Sequence, residues 1–249
     1  MQQLILHLPH ASTHIPDFTG YVVNTETLDA ELLRLTDWHT DELFGNDHDH
    51  LVRAPFSRVF CDVERFSDDR HEPMAARGMG VLYQGLDNGG RLREVSPAFR
   101  QQVLDRYYFP HHARLTRAVQ TELEQHSRCL IVDAHSFPDV PLQRDPDQSL
   151  PRPDFNIGTD WFHTPPELAG CAAAFFRERG YSVEIDRPYS GSMVPLAFYR
   201  TAPQVHSLML EVNRRLYLCP GSSQKSKGFS EIRTLVQRFL DMLRKELSL

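Results

Sequence analysis

Three apolar runs in this sequence give way to residues able to bind a metal or move a proton. Leu4–Leu8 runs into Pro9-His10-Ala11-Ser12, Cys129-Leu130-Ile131-Val132-Asp133 into Ala134-His135-Ser136, and Ser207-Leu208-Met209-Leu210 into Glu211. An imidazole on a rigid, buried strand is held firmly enough to ligate a metal. A carboxylate at the end of an apolar run must be paired, metal-bound or shifted in its protonation. Each residue alone has a plainer reading. A histidine after a strand is more often a turn residue, and Glu211 could pair with Arg214 or Arg215. Their coincidence is what points to a hydrolytic metal site. The 13 histidines of the chain are an excess that suits metal or acid–base chemistry. Most of the remaining candidates read as scaffold: Asp37 and Asp41, one helical turn apart, as a solvated face, and His111-His112 as a solvated helix end.

Such a site needs strands that end together. Besides the three runs above, Tyr181–Ile185 reads as a strand, His206–Val212 as a buried strand that carries Glu211, and Leu51–Val63 as two extended segments around Pro55, the second being Arg58–Val63. Helical patterns cover Glu26–Phe44, Pro97–Ser127 with a break or kink near Pro110, Pro165–Gly180 with a glycine stop, and Ser230–Leu247. Strands separated by helices predict a single α/β domain over residues 1–249, with a mostly parallel or mixed sheet flanked by helices. Arg65–Arg93 and Pro138–Asp160 are rich in Pro, Gly and charge and read as irregular. Loops of that length in a compact domain are usually functional, and ligands of such sheets bind beyond the strands' carboxyl ends.

Bulk composition excludes several classes. With 249 residues, 41% hydrophobic and 24% charged, the chain is that of a globular protein with a full core. A net charge of −6 argues against nucleic acid or anionic lipid as a partner. Cys61, Cys129, Cys171 and Cys219 are widely spaced, which disfavours a disulfide framework or cysteine zinc site and suits a reducing compartment. No apolar stretch approaches the roughly 18 residues of a membrane span. The first eight residues lack a basic start and a long apolar run, so they read as a strand rather than a signal peptide, and a cytoplasmic location is expected.

The sequence resembles the N-formylglutamate amidohydrolase family, a relative of the zinc carboxypeptidase clan. The segments that carry the resemblance are Pro9–Ser12 with Ile15-Pro16, Thr36-Asp37-Trp38-His39, Ser57–Arg65, Asp133-Ala134-His135-Ser136, Pro153–Thr159, Pro188-Tyr189-Ser190-Gly191 and Glu211–Tyr217. They occur in the family's order and span most of the chain. The resemblance implies a zinc-carboxypeptidase-like fold and zinc-dependent hydrolysis of an N-acyl amino acid, with N-formyl-L-glutamate as the leading substrate and histidine degradation as the setting. It implies one zinc ion held by His10 and His135. Asp37 is expected as the third ligand, because Thr13 stands where the clan has an acid three residues after the first histidine; His39 is the competing candidate. Glu211 matches the catalytic glutamate, while Arg58, Arg65, Asn213 and Arg214 match substrate-binding positions. One departure stands out: Glu64 replaces the asparagine usual before the second arginine. A carboxylate there is expected to repel an acidic substrate or to tie up Arg65, which leaves open another N-acyl amino acid or a short peptide. A non-catalytic ligand-binding protein on the same scaffold would require a missing catalytic part.

Overall fold

Successive side chains on a strand point to opposite faces, and in this chain the two faces have different fates. The computed structural model describes residues 2–247. Among them, six strands form one sheet: β1 (Ile5–Leu8), β2 (His50–Arg53), β3 (Cys129–Phe137), β4 (Phe155–Gly158), β5 (Val183–Ile185) and β6 (Val205–Asn213). Their order is β2-β1-β3-β6-β4-β5. Neighbours are parallel except β4 and β6, which pair antiparallel, so the sheet is mixed. The helices are α1 (Thr25–Leu35), α2 (Thr40–Phe44), α3 (Pro97–Val103), α4 (Phe109–His126), α5 (Pro166–Arg177) and α6 (Phe229–Leu247).

On one face Leu6, Leu8, Val132, Ala134, Leu210 and Val212 pack against Phe176 of α5 and Phe239 and Leu243 of α6, with only His206 and Ser136 as polar residues of the two long strands on that face. On the other face Ile5, Cys129, Ile131 and Val205 pack against Leu115 and Val119 of α4. The same two-residue period then carries this second face to His7, Asp133, His135, Ser207 and Glu211, all buried. It is apolar where the strands begin and polar where they end. That change puts the chemistry at the carboxyl ends of the central strands.

Five expectations are revised. The helix expected over Glu26–Phe44 is two helices, because the chain turns at Thr36–His39 and His39 adopts a left-handed φ of 59° at the start of α2. Arg58–Val63 is a turn rather than a strand: Ser57 accepts the Val59 N–H on its hydroxyl and the Phe60 and Cys61 N–H groups on its carbonyl. A side chain of this kind competes with the ladder for backbone groups. The irregular Arg65–Arg93 segment is packed, with Val81, Tyr83 and Leu92 joining Val59, Phe60 and Val63 in a third apolar cluster. The Pro138–Asp160 stretch contains β4. Near Pro110 the helix is not broken; a wide π turn over Leu104–Tyr108 joins α3 to α4 and absorbs the proline's missing N–H.

Candidate metal centre and active site

His10 leaves β1 at its carboxyl end, while His135 and Glu211 face each other in register on β3 and β6. Asp37 enters from the α1–α2 turn, where its N–H donates to the His10 carbonyl at 3.0 Å. The bend at His39 therefore serves the site although the His39 ring does not. That ring contacts Glu42 at 3.1 Å and the Ser223 carbonyl at 2.8 Å, outside the cluster. His10, Asp37 and His135 each offer one ligand atom within 4.8 Å of the others, and all three are buried.

The geometry selects the nitrogens. His135 Nδ1 lies 3.0 Å and His10 Nδ1 3.6 Å from Asp37 Oδ2. On the far side of each ring, His10 Nε2 lies 2.8 Å from Asp62 Oδ1, and His135 Nε2 lies 3.1 Å from Glu64 Oε1 and 3.2 Å from Asp133 Oδ1. A carboxylate behind a histidine fixes its tautomer and leaves the other nitrogen for a metal. His10 Nδ1 and Glu211 Oε2 are buried and have no hydrogen-bond partner. Buried polar atoms are normally satisfied, so two orphans beside this donor set fit an ion and its water. Two imidazoles and a carboxylate with an open position also suit catalytic zinc.

Charge points the same way. Asp37, Asp62, Glu64, Asp133 and Glu211 share the region with Arg58, Arg65 and Arg214, an excess of two negative charges if all five carboxyls are ionised and the histidines are neutral. One divalent cation would balance it. Without one, protons do. Burial and Arg58 act to lower the pKa of His10, but Asp62, Glu64 and Asp37 outweigh them and raise it. Burial also opposes the charged form of His135, yet Glu64, Asp133 and Asp37 push its pKa well up. Burial would raise Asp37, but the His10 and His135 imidazoles beside it hold it well below the usual carboxylate range. Glu211 goes the other way: burial, with Asp37 adding to it, lifts its pKa to about 8 against the pull of His135 and the arginines.

The arginines divide into props and one fork that is less fully engaged. Arg58 donates from Nε and Nη2 to Asp62 Oδ2 at 3.2 and 3.0 Å and from Nε to the Tyr83 hydroxyl, so much of it is spent steadying Asp62. Arg65 lies 3.7 Å from Asp62 Oδ2, and its Nε has no hydrogen-bond partner. Arg214, expected to bind substrate, instead donates to Asp37 Oδ1 at 2.9 Å, to the Ser136 hydroxyl and carbonyl, and to the Arg34 carbonyl. With its donors taken, it steadies Asp37. Asn213, also expected at the substrate, is fully buried; it donates to the Pro153 carbonyl and Asp139 and accepts the Arg215 N–H. Glu64 turns to the histidines rather than to Arg65, approaching His10 to 3.6 Å and His7 to 3.7 Å. Asp62 and Asp133 were missed as histidine partners, although Asp133 ends an apolar run that demands a partner for it.

The sequence model of the N-formylglutamate amidohydrolase family matches residues 2–218. The chain belongs to the N-formylglutamate amidohydrolase family. A crystal structure of N-formylglutamate amidohydrolase from Ralstonia eutropha JMP134 is similar over 99% of this chain and 94% of that chain, with a TM-score of 0.87 and 26% identity. A gene product of Agrobacterium tumefaciens, 18% identical with a TM-score of 0.69, covers 98% of this chain and 92% of its own and shares the fold. No curated protein matches the sequence. In this member of the N-formylglutamate amidohydrolase family, no helix among the described residues is long and apolar enough to cross a membrane.

Proposed function

We propose that this amidohydrolase is zinc-dependent and cleaves the amide of N-formyl-L-glutamate to formate and L-glutamate. The observation that carries the reading is the convergence of His10, Asp37 and His135 within 4.8 Å, beside a buried Glu211 carboxyl oxygen that has no partner. A divalent ion bound there would supply Lewis acidity toward the amide carbonyl and the attacking water. Glu211 takes a proton from that water and delivers it to the departing amine nitrogen, acting as base and then as acid. The elevated pKa of Glu211 suits the second role, and a nearby cation would bring it down toward the first. Arg65, ion-paired with Asp62 but with no hydrogen-bond partner at Nε, offers its guanidinium to a substrate carboxylate, for which a planar fork is the natural partner. Arg58 and Arg214 act mainly by holding Asp62 and Asp37.

Zinc binding by two single variants tests the ligand set. Asp37→Ala is expected to lose zinc and turnover together, while His39→Ala keeps zinc and most of its activity. Zinc retained by Asp37→Ala and lost by His39→Ala would reverse the assignment.

Glu64 favours a second reading in which the substrate is a neutral N-acyl amino acid or a short peptide. Its carboxylate stands 3.1 Å from His135 Nε2, where it adds negative charge close to any bound acid. Glu64→Asn is then expected to raise kcat/KM for N-formyl-L-glutamate relative to N-formyl neutral amino acids. An unchanged ratio leaves the deformylase of the diacid as the better reading.

A further inference from the structure

Behind the site lies a second group of buried residues that the chemistry above does not use. His7 and His111 are both fully buried, with their Nε2 atoms 2.9 Å apart. His7 Nδ1 lies 2.8 Å from Asp133 Oδ1, the oxygen that also contacts His135 Nε2. At the other end Arg114, exposed on α4, brings Nη2 within 3.4 Å of His111 Nδ1 and within 3.2 Å of the Arg53 carbonyl. His111 is thus not part of a solvated helix end. It sits one turn before Leu115, on the face of α4 that covers the sheet.

The ends of this chain of contacts fix the direction of every bond. A guanidinium only donates, so His111 Nδ1 accepts. Burial, with His7 and His112 adding to it, pushes the His111 pKa down to about 2, so the ring is neutral and carries its one proton on Nε2. His7 Nε2 therefore accepts, and the His7 proton sits on Nδ1, where it is donated to Asp133. Asp133 also accepts from His135 Nε2, which leaves His135 Nδ1 as the nitrogen a metal can take. Reversing any one bond would set two donors or two lone pairs face to face in a buried place, where an unmet polar group is costly.

We infer that Arg114, His111 and His7 form a hydrogen-bonded relay that holds Asp133, and through it His135, in the tautomer and orientation that bind the metal. They are positioning residues, and the inference rests on the metal reading proposed above. The relay also decides a competing possibility. His7, Glu64 and Asp133 are close enough together to hold an ion of their own, but a proton fixed on His7 Nδ1 occupies the atom that such an ion would need.

Zinc affinity, read by competition with a chromophoric chelator on the purified full chain, tests the relay. Arg114→Glu turns an obligate donor into an acceptor and so drives the relay toward the opposite polarity. Zinc should then bind about 10-fold more weakly, the lower range for loss of an outer carboxylate–histidine contact. Charge alone predicts the opposite sign, since an added carboxylate attracts a cation. Arg117→Glu, exposed one turn further along α4, should therefore bind zinc as tightly as wild type or more so. His111→Gln, which can still accept from Arg114 and donate to His7, should stay near wild type, whereas His111→Phe should weaken zinc as Arg114→Glu does. The relay is overturned if Arg114→Glu binds zinc as tightly as Arg117→Glu, or if wild type takes up two zinc ions per chain. A wild-type chain that takes up no zinc at all removes the metal reading itself, a distinct result.

Discussion

Glu211 and Asp37 are buried carboxyls of one site whose protons are driven in opposite directions, and pH separates them. Glu211 titrates near 8 in the fold against a usual 4.5. A raised pKa stabilises the metal-free protein fully below the unfolded value, and that stability is lost as pH rises through the folded one. Asp37, Asp62 and Asp133 are lowered; their contribution is complete above about pH 4 and lost only in acid. Glu211→Gln keeps the shape and removes the titration. In chelator-treated protein its urea midpoint should gain on wild type between about pH 5 and pH 8 and then run parallel to it; parallel curves throughout would mean Glu211 is not held neutral. With metal restored, the same variant should bind zinc and substrate but lose roughly 10²–10⁴-fold in kcat. His10, His135 and Glu211 were legible in the sequence because each stands where an apolar run stops. The partners of these histidines were not. Asp62 lies in a turn whose sequence reads as a strand, and His111 meets His7 only because α4 lies across the sheet, a contact that no local pattern records.

At the scale of elements, β3 and β6 carry the site and their neighbours press it into shape. Both were legible from unbroken apolar runs, although each extends further than those runs: β3 continues through His135 to Phe137, and β6 through Glu211 to Asn213. β4 was not legible, because its four residues sit in a stretch dominated by proline and charge. The break between α1 and α2 was hidden for another reason, since the left-handed turn falls on His39 instead of on a glycine that would mark it. β4 closes on β6 through Gly158, opposite Met209 in the register. A Cβ at Gly158 would meet Met209 Cε at 2.3 Å and the Gly191 carbonyl at 2.4 Å. The methionine can move, but a backbone carbonyl cannot without shifting its loop. Gly158→Ala should therefore cost about 1–3 kcal/mol. Gly170 of α5 has nothing within 4 Å of its added Cβ, so Gly170→Ala should instead gain up to about 1 kcal/mol. Urea midpoints of the two variants should fall on opposite sides of wild type, and a shift of the same sign in both would contradict this packing.

For the molecule as a whole, a mixed sheet between helices brings three distant segments of chain to one edge, and the family and the nearly full-length likeness to the Ralstonia eutropha enzyme agree with that architecture. What the fold builds there is a region that would be two charges too negative with every carboxyl ionised and the histidines neutral, held in place by Arg58, Arg214 and the residues behind His135. In the proposed reading a single divalent ion would complete it. Formate release from N-formyl-L-glutamate by chelator-stripped protein, followed as zinc is returned in measured steps, tests this most directly. The expected result is no turnover without zinc and a linear rise that ends at one zinc per chain. Full turnover by the stripped protein, or no formate at any zinc occupancy, would contradict it.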